Sequence, residues 1–324
     1  MTEKRFIYHG TGYDPFENLA VEQALCETAG PGTCTLYLWQ NQSTVVIGRN
    51  QNAWKECKIE LLTAEGGRLA RRLSGGGAVY HDLGNLNFTF VMPSAEYDQG
   101  KQFAVIQRAC AMCGIETTLS GRNDLLADGR KFSGNAFYHH NGHSYHHGTL
   151  LVSVDAERMS RYLRPSTEKL KAKGVDSVRS RIVNLSELSP DLTVEALSTA
   201  LETAFAEIYG KAERLFLSDS HRRLIDQYEA RNRSWEWNYG QRLPFDVAFC
   251  DRFPWGEISI NVKLYDGTVQ DVRVETDAME HTLAERIERT LKGLPFTQTA
   301  IVNRLTDTAI PHSADIASLF AELS

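Results

Sequence analysis

Three consecutive glycines, preceded by two arginines, form the stretch of this sequence best suited to chemistry. The glycines occupy positions 75–77, and Arg71 and Arg72 lie just before them. Glycines have no Cβ atoms, so the backbone N–H groups of such a run can approach an anionic or planar ligand closely. The arrangement indicates a cradle for a phosphate or an acyl phosphate.

The residues after the glycines predict a strand that anchors this loop to a sheet. Leu86, Phe88 and Phe90 alternate with Asn87 and Thr89, which is the period-two pattern of a β-strand. A glycine run is equally common in a hairpin turn. The loop alone therefore leaves ligand binding and a plain turn as alternatives.

The common nucleotide and metal motifs are missing. Neither the Gly-Lys pair at 100–101 nor that at 210–211 has the serine or threonine and the upstream glycine of a P-loop. The glycine run lacks the third glycine of a dinucleotide fingerprint, because position 80 is tyrosine, and no His-Glu-x-x-His occurs. If ATP binds at this loop, its phosphates are held by something other than a P-loop or a dinucleotide fingerprint.

Six blocks of the sequence, in order, resemble the lipoate-protein ligase family. The glycine block matches that family nearly residue for residue over positions 71–85, and six ordered blocks are far more specific than one. The blocks lie at residues 13–22, 45–49, 71–85, 121–125, 130–134 and 146–151.

The resemblance implies a two-step reaction and an α+β fold. The carboxylate of lipoate attacks the α-phosphate of ATP to give lipoyl-AMP, and a lysine of an acceptor domain then attacks that anhydride. The fold expected is a large catalytic domain of mixed and antiparallel sheets with helices, plus a small α+β accessory domain. The expected acceptors are lipoyl domains of 2-oxoacid dehydrogenase E2 subunits and the glycine cleavage H protein. ATP, Mg²⁺ and lipoate are the expected ligands.

Lys131 is the family-matched catalytic candidate. A fixed ammonium at this point would stabilise negative charge in both steps, whereas an arbitrary lysine is usually solvated surface. Arg72 could donate two hydrogen bonds to a phosphate. The remaining binding residues implied by the resemblance are Ser74, Gly77, Ala78, Val79, Tyr80, His81, Asn123, Asp124, Ser133, Gly134, His147 and Gly148.

Several of these residues also have a structural interpretation. Asp124 is the expected Mg²⁺ ligand, but an aspartate here can instead close an Asx turn. His81 lies beside a strand, where a lone histidine is usually structural. Leu19 and Glu22, on a helix capped by Asp14, are expected to face the acyl channel by resemblance, although Leu19 alone would be read as core.

Histidine and cysteine clusters do not predict a metal site. Five histidines lie between residues 139 and 147, but the Asn-Gly pair at 141–142 predicts a hairpin tip that exposes several of them. Cys110 and Cys113 continue an apolar helical stripe, and no second cysteine pair completes a zinc site. The six scattered cysteines are expected to be free thiols.

Composition narrows the class of protein further. The net charge of −6 over 324 residues argues against a general nucleic-acid binder. No apolar run is long enough for a membrane span, and no secretory h-region follows Met1, so a cytoplasmic location is expected. One basic cluster is either a solvated face or a loop that closes on phosphates: Lys169, Lys171, Lys173, Arg179 and Arg181.

The hydrophobic pattern predicts two domains, 1–243 and 246–324. In the first, helices are expected over 99–113, 155–163 and 194–209, hairpin turns at 128–129 and 141–142, and a hairpin joining strands 36–39 and 44–47. In the second, alternating strands surround a turn at 266–267, and a helix ends at Gly293.

Two alternatives to the ligase remain open, and a third, a biotin ligase, is disfavoured because no arginines are interleaved with the glycines of the loop. An octanoyl- or lipoyl-transferase of the same fold would use a cysteine thioester without ATP, and Cys57 is the nearest thiol to the glycine loop by sequence. The triple glycine and the block at 123–125 favour the ligase. A biotin ligase would need arginines within the glycine loop. A non-catalytic lipoate carrier or sensor would have no need of Lys131.

Overall fold

The computed structural model describes residues 4–121, 123–164, 182–240 and 245–321. The basic cluster at 169–181 and Arg122 lie outside these residues. The strands are β1 Lys4–His9, β2 Thr33–Trp39, β3 Thr44–Ile47, β4 Arg68–Arg71, β5 Val79–His81, β6 Asn85–Pro93, β7 Thr118–Ser120, β8 Asp124–Ala127, β9 Arg130–His140, β10 His143–Leu151, β11 Glu213–Arg214, β12 Val247–Phe253, β13 Gly256–Tyr265 and β14 Thr268–Thr276.

The helices begin and end largely where the sequence predicts. They are α1 Pro15–Glu27, α2 Ala53–Glu56, α3 Ile59–Ala64, α4 Gln99–Met112, α5 Ala156–Tyr162, α6 Leu185–Leu188, α7 Val194–Tyr209, α8 Asp219–Arg233, α9 Trp235–Tyr239, α10 Leu283–Leu291, α11 Gln298–Thr306 and α12 Ser313–Ser318, with a 3₁₀ turn at Ser94–Glu96. None of the helices in the described part of the chain combines the length and apolar character needed to cross a membrane.

Capping residues account for several of these boundaries. Asp14 caps α1 by accepting a hydrogen bond from the Phe16 amide, and Pro15 fills the first helical position, where no N–H is needed. Asp155 caps α5 in the same way. Beyond α4, Gly114 adopts φ +77°, the left-handed conformation that ends a helix.

The larger domain is built on a mixed eight-stranded sheet with the order β11-β1-β2-β6-β10-β9-β8-β7. Asp128 and Asn141 have positive φ angles and start the tight turns of the β8–β9 and β9–β10 hairpins. Both predicted turns are confirmed. The hairpins place the ends of β8, β9 and β10 side by side.

The predicted hairpin between strands 36–39 and 44–47 is wrong, although both strands exist. β2 pairs with β1 and β6 in the large sheet, whereas β3 is the centre of a second sheet with the order β4-β3-β5. All four β3 residues are buried, so β3 needs a partner strand on each edge, and β4 and β5 fill those places. The short 40–43 connection passes between sheets.

Strand β6 carries apolar side chains on one face and mainly polar side chains on the other. Phe88 and Phe90 pack with α4 and α7 in one core, while Val91 packs with α1 and α8 in another. Asn87 and Thr89 share the second face. This alternation explains why a strand with a polar side is buried throughout.

A separate core lies within residues 255–320 and joins the antiparallel sheet β12-β13-β14 to α10, α11 and α12. The predicted turn at 266–267 and the helix end at Gly293 are confirmed. The α+β fold class is confirmed. The predicted boundary between domains 1–243 and 246–324 falls at or beside residues 241–244, which lie outside the described part of the chain.

Candidate functional site

A central cavity of about 440 Å³ lies between the glycine loop, the β8–β10 hairpins and the small domain. Most of the predicted site residues meet there, although they come from distant parts of the chain. Those that line the cavity are Arg72, Gly77, Ala78, Val79, His81, Asn123, Asp124, Lys131, Gly134, His147 and Gly148.

Three predicted site residues do not line the cavity. Ser74 and Ser133 are buried behind its wall. Tyr80 points the opposite way from its neighbours in β5, and its ring packs 5.5 Å from that of Tyr162. The Tyr80 ring, although Tyr80 was expected among the binding residues, therefore does not line the cavity.

Chain packing requires glycine at most positions of the loop. A Cβ on Gly48 would lie 2.2 Å from the carbonyl oxygen of Gly76, and one on Gly75 would lie 2.2 Å from that of Ala278. Gly76 has φ +89°. Only Gly77 has open space beside its Cα, so within the triple glycine it is Gly77 that leaves room for a ligand.

Arg72 braces the glycine loop from inside. Its guanidinium donates to the carbonyl oxygens of Gly75 (2.7 Å) and Gly77 (2.8 Å) and to Ser74 Oγ (3.0 Å). Burial lowers the pKa of Arg72 to about 10, which still leaves it charged at neutral pH. Its predicted contact with phosphate would require these bonds to be exchanged.

Lys131 lies in the cavity wall beside Asp124. Lys131 Nζ is 2.7 Å from Asp124 Oδ1, and both side chains are more than one third exposed. A Cβ on Gly134 would lie 3.0 Å from Lys131 Nζ and 3.2 Å from its Cε. Gly134 thus gives the lysine side chain room to lie across β9.

Asn135 is a site residue that the sequence reasoning missed. Asn123 Nδ2 donates to the Asn135 carbonyl (2.6 Å), and Asn135 Nδ2 donates to the Asn123 carbonyl (2.9 Å). Asn135 also donates to Ser133 Oγ and contacts His146 Nε2. These bonds clamp the turn before β8 to β9. The available signal was an asparagine directly after the predicted block at 130–134.

A buried chain of hydrogen bonds runs behind the glycine loop. His147 Nε2 is 2.8 Å from Ser74 Oγ, and His147 Nδ1 is 2.7 Å from Glu22 Oε1. Thr89 Oγ1 donates to the same carboxylate oxygen. The order Ser-His-Glu is that of a catalytic triad. However, Ser74 is completely buried and cannot reach a substrate, so we interpret the chain as positioning His147 and the loop.

His81 presents one ring nitrogen without a hydrogen-bond partner in the described part of the chain. Asn41 Oδ1 accepts from Asn18, so its Nδ2 donates to His81 Nδ1 at 3.1 Å. This places the ring proton on Nε2, which is buried and unpaired. Burial, together with the charge of Arg72, lowers the pKa of His81 to about 3. A neutral His81 can therefore donate to a ligand.

The described residues form neither a metal centre of three or more protein ligands nor an exposed thiol at Cys57. These residues contain no group of three or more His, Cys, Asp or Glu side chains arranged to hold a metal ion. His139 and His140 are exposed on the β9–β10 hairpin, as the sequence predicts. Cys57 is buried, and burial raises the pKa of its thiol to about 12.

The small domain supplies part of the cavity wall, which the sequence reasoning also missed. The Gly76 amide donates to the Ala278 carbonyl at 3.1 Å, and the Thr276 amide donates to Asn50 at 3.0 Å. The small-domain residues that line the cavity are Arg252, Gly256, Asp277 and Met279.

Two family models match the chain. The lipoyl protein ligase A/B catalytic domain matches residues 14–206, and the bacterial lipoate protein ligase C-terminus matches residues 243–319. A curated relative, the lipoate-protein ligase A of Psychrobacter cryohalolentis, is 40% identical over 292 residues. That alignment covers 87% of this chain and 86% of the relative.

Solved structures share the fold. LipL1 of P. falciparum, in complex with lipoate, superposes with a TM-score of 0.86 at 24% identity, covering 97% of this chain and 98% of its own. A lipoate-protein ligase A bound with ATP gives a TM-score of 0.64 at 25% identity, covering 74% of this chain and 99% of its own.

Proposed function

The chain belongs to the lipoate-protein ligase family, and we infer that it activates lipoate with ATP and transfers the lipoyl group to a lysine of an acceptor protein. The observation that carries this is the position of Lys131. It lies in the same cavity wall as Gly77 and Val79, from which it could supply the fixed positive charge that the family reaction needs.

In the first step a carboxylate oxygen of lipoate attacks the α-phosphorus of ATP, and pyrophosphate leaves. Negative charge builds on the phosphoryl oxygens, which the Lys131 ammonium would stabilise. In the second step the amine of the acceptor lysine attacks the carbonyl carbon of lipoyl-AMP, and AMP leaves. The same ammonium would stabilise the oxyanion on that carbon.

We assign different residues of the cavity wall to the two parts of lipoyl-AMP. Leu19 and Trp39 offer apolar surface for the acyl chain, and His81 Nε2 could donate a hydrogen bond to an acyl oxygen. Asn123, Lys131 and Gly77 would surround the nucleotide. Gly148 also lines the cavity. A Cβ at this position would lie 2.7 Å from the Phe88 ring, so glycine here lets β10 pack on β6.

We propose that Asp124 holds Mg²⁺ together with the phosphates of ATP. Mg²⁺ is commonly bound through one or two carboxylates and substrate phosphates, so a single exposed carboxylate fits it. The ion would neutralise phosphate charge. Lys131, released from its ion pair with Asp124, would then be available to the reacting oxygens.

Lipoyl domains of E2 subunits and the glycine cleavage H protein are the acceptors we propose. The division into domains 1–243 and 246–324 and the cytoplasmic location stay predictions as well. The thioester alternative is disfavoured because Cys57 is buried and its raised pKa keeps the thiol protonated.

Incubation of the protein with a lipoyl domain, lipoate, ATP and Mg²⁺ tests this function by mass spectrometry of the acceptor. We expect the mass of one lipoyl group on a single lysine, and no modification without ATP. The ligase function would be rejected if the acceptor were modified from an acyl thioester but not from free lipoate and ATP.

A further inference from the structure

Arg252 brings a positive charge from the small domain to the central cavity. It lies near the end of β12 and lines the same cavity as Lys131. Its side chain is 30% exposed, and its guanidinium lies 3.1 Å from Glu257 Oε2 and 4.0 Å from Asp277 Oδ2. No motif in the sequence around Arg252 had marked it as a candidate.

Among the described residues, Arg72 and Lys131 are the other strongly basic side chains of the cavity wall, and both have partners, as Arg252 has in Glu257 and Asp277. Arg72 donates to carbonyl oxygens of its own loop, and Lys131 is paired with Asp124. Burial of Arg72 makes those bonds costly to exchange. The triphosphate of ATP carries several negative charges, so it needs a further cation, and Arg252 is placed to supply one.

Packing between the small domain and the glycine loop fixes the position of Arg252 at the cavity. The turn between β12 and β13 ends at Gly256, where a Cβ would lie 2.8 Å from Asp277 Oδ1 and 3.0 Å from the Ala278 amide nitrogen. The turn therefore packs tightly on residues 277–278. Ala278 in turn accepts the hydrogen bond of the Gly76 amide. These contacts hold the β12–β13 turn, and with it Arg252, against the glycine loop.

We propose that Arg252 binds the β- and γ-phosphates of ATP and the pyrophosphate that leaves during adenylation. The planar guanidinium suits two phosphate oxygens at once, and its exposed fraction leaves donors for them. As the bond between the α-phosphorus and the bridging oxygen breaks, pyrophosphate gains negative charge, which Arg252 stabilises while staying protonated. This inference rests on the ligase function proposed above.

The proposal separates the two half-reactions. Lipoyl-AMP has no β- or γ-phosphate, so transfer from it should not need Arg252. The probes are pyrophosphate exchange into ATP, which reports the KM for ATP and for pyrophosphate, and transfer from synthetic lipoyl-AMP to a lipoyl domain. For R252Q we expect both KM values to rise about tenfold or more, as for a lost charge-assisted hydrogen bond, with transfer unchanged.

Two further variants exclude a purely structural role. E257Q removes the partner of Arg252 but leaves the arginine free, so we expect its KM for ATP to stay the same or fall. If the ion pair mattered only for folding, E257Q and R252Q would be impaired alike. R289Q is the matched control, because Arg289 is an exposed, paired arginine of the same domain that does not line the cavity.

Unchanged KM values in R252Q, or an equal loss in exchange and in transfer, would overturn the proposal. If R252Q melts early, R252K carries the test, since it keeps the charge and should fall between the wild type and R252Q. A wild-type protein that transfers from lipoyl-AMP but performs no exchange would instead overturn the ligase function itself.

Discussion

Lys131 Nζ lies 2.7 Å from Asp124 Oδ1 in the wall of the central cavity. The ammonium that we propose to act in catalysis is thus held by a carboxylate before any phosphate arrives. Two exposed partners of this kind contribute little to stability, typically ~0–1 kcal/mol. A phosphate, or a cation bound at Asp124, can therefore separate them at small cost, and the pair positions Lys131 without trapping it.

Replacing Lys131 with alanine should lower the rate of adenylation by about 10²–10³, as for the loss of one preorganised stabilising group. The physical reason is that Lys131 is the only lysine among the described residues that line the cavity. Pyrophosphate exchange measures this rate. Lys263→Ala is the control, since Lys263 is a half-exposed lysine of the small domain. Exchange at the wild-type rate in K131A would show that Lys131 has another role.

Gly134→Ala should reduce the catalytic rate without unfolding the protein. The new Cβ would lie 3.0 Å from Lys131 Nζ, so the flexible end of the lysine must move from its position. Thermal melting should change little. Gly30→Ala is the matched control, because nothing lies within 4 Å of its Cβ position. Equal exchange rates in the two variants would count against the positioning role of Gly134.

Stability should fall as the pH falls below neutrality, in part through His81. Its pKa is about 3 in the folded protein and about 6.5 when unfolded, so the unfolded state binds the extra proton in this window. Between pH 7 and pH 5 the wild type should lose about 2 kcal/mol more unfolding free energy than His81→Gln. Urea denaturation at the two pH values measures the difference.

The buried His146, whose pKa is also lowered by burial, is present in both proteins, so its contribution cancels from that comparison. Parallel loss of stability in the wild type and in H81Q would mean that His81 takes up its proton as readily in the folded state as in the unfolded state. A His81 that stays neutral throughout this pH range would then be excluded.

Cys57→Ala should leave lipoylation of a lipoyl domain unchanged. The thiol is buried and its pKa is raised to about 12, so it forms no thiolate that could attack an acyl group. Some stability should be lost, because Cys57 packs in the core with Leu62 and Tyr162. Cys250→Ala, at an exposed position, is the control. Loss of acyl transfer in C57A alone would favour the thioester mechanism.

Local signals predicted much of this molecule. The capped start of α1, the end of α4 at Gly114 and the turns at Asp128 and Asn141 depend on a few neighbouring residues, and all were predicted correctly. The ligand-facing candidates came from the family resemblance, which links distant blocks. Most of them line one cavity.

What the sequence did not predict depends on contacts between distant residues. The pairing of β2 and β3 was wrong because alternation within a strand does not identify its neighbour. The contribution of Arg252 and Met279 was missed because their domain packs on a loop some 200 residues earlier, through Gly76 and Ala278. The internal bonds of Arg72 likewise appear only in three dimensions.

Adenylation of lipoate by this protein is best tested by lipoate-dependent exchange of labelled pyrophosphate into ATP, with Mg²⁺ and no acceptor. The cavity described here predicts exchange that requires lipoate and is strongly reduced in K131A. Such a result would establish adenylation of the carboxylate, and would exclude both a thioester transferase and a passive carrier. Absence of exchange by a folded protein that binds lipoate would show that the protein does not adenylate lipoate.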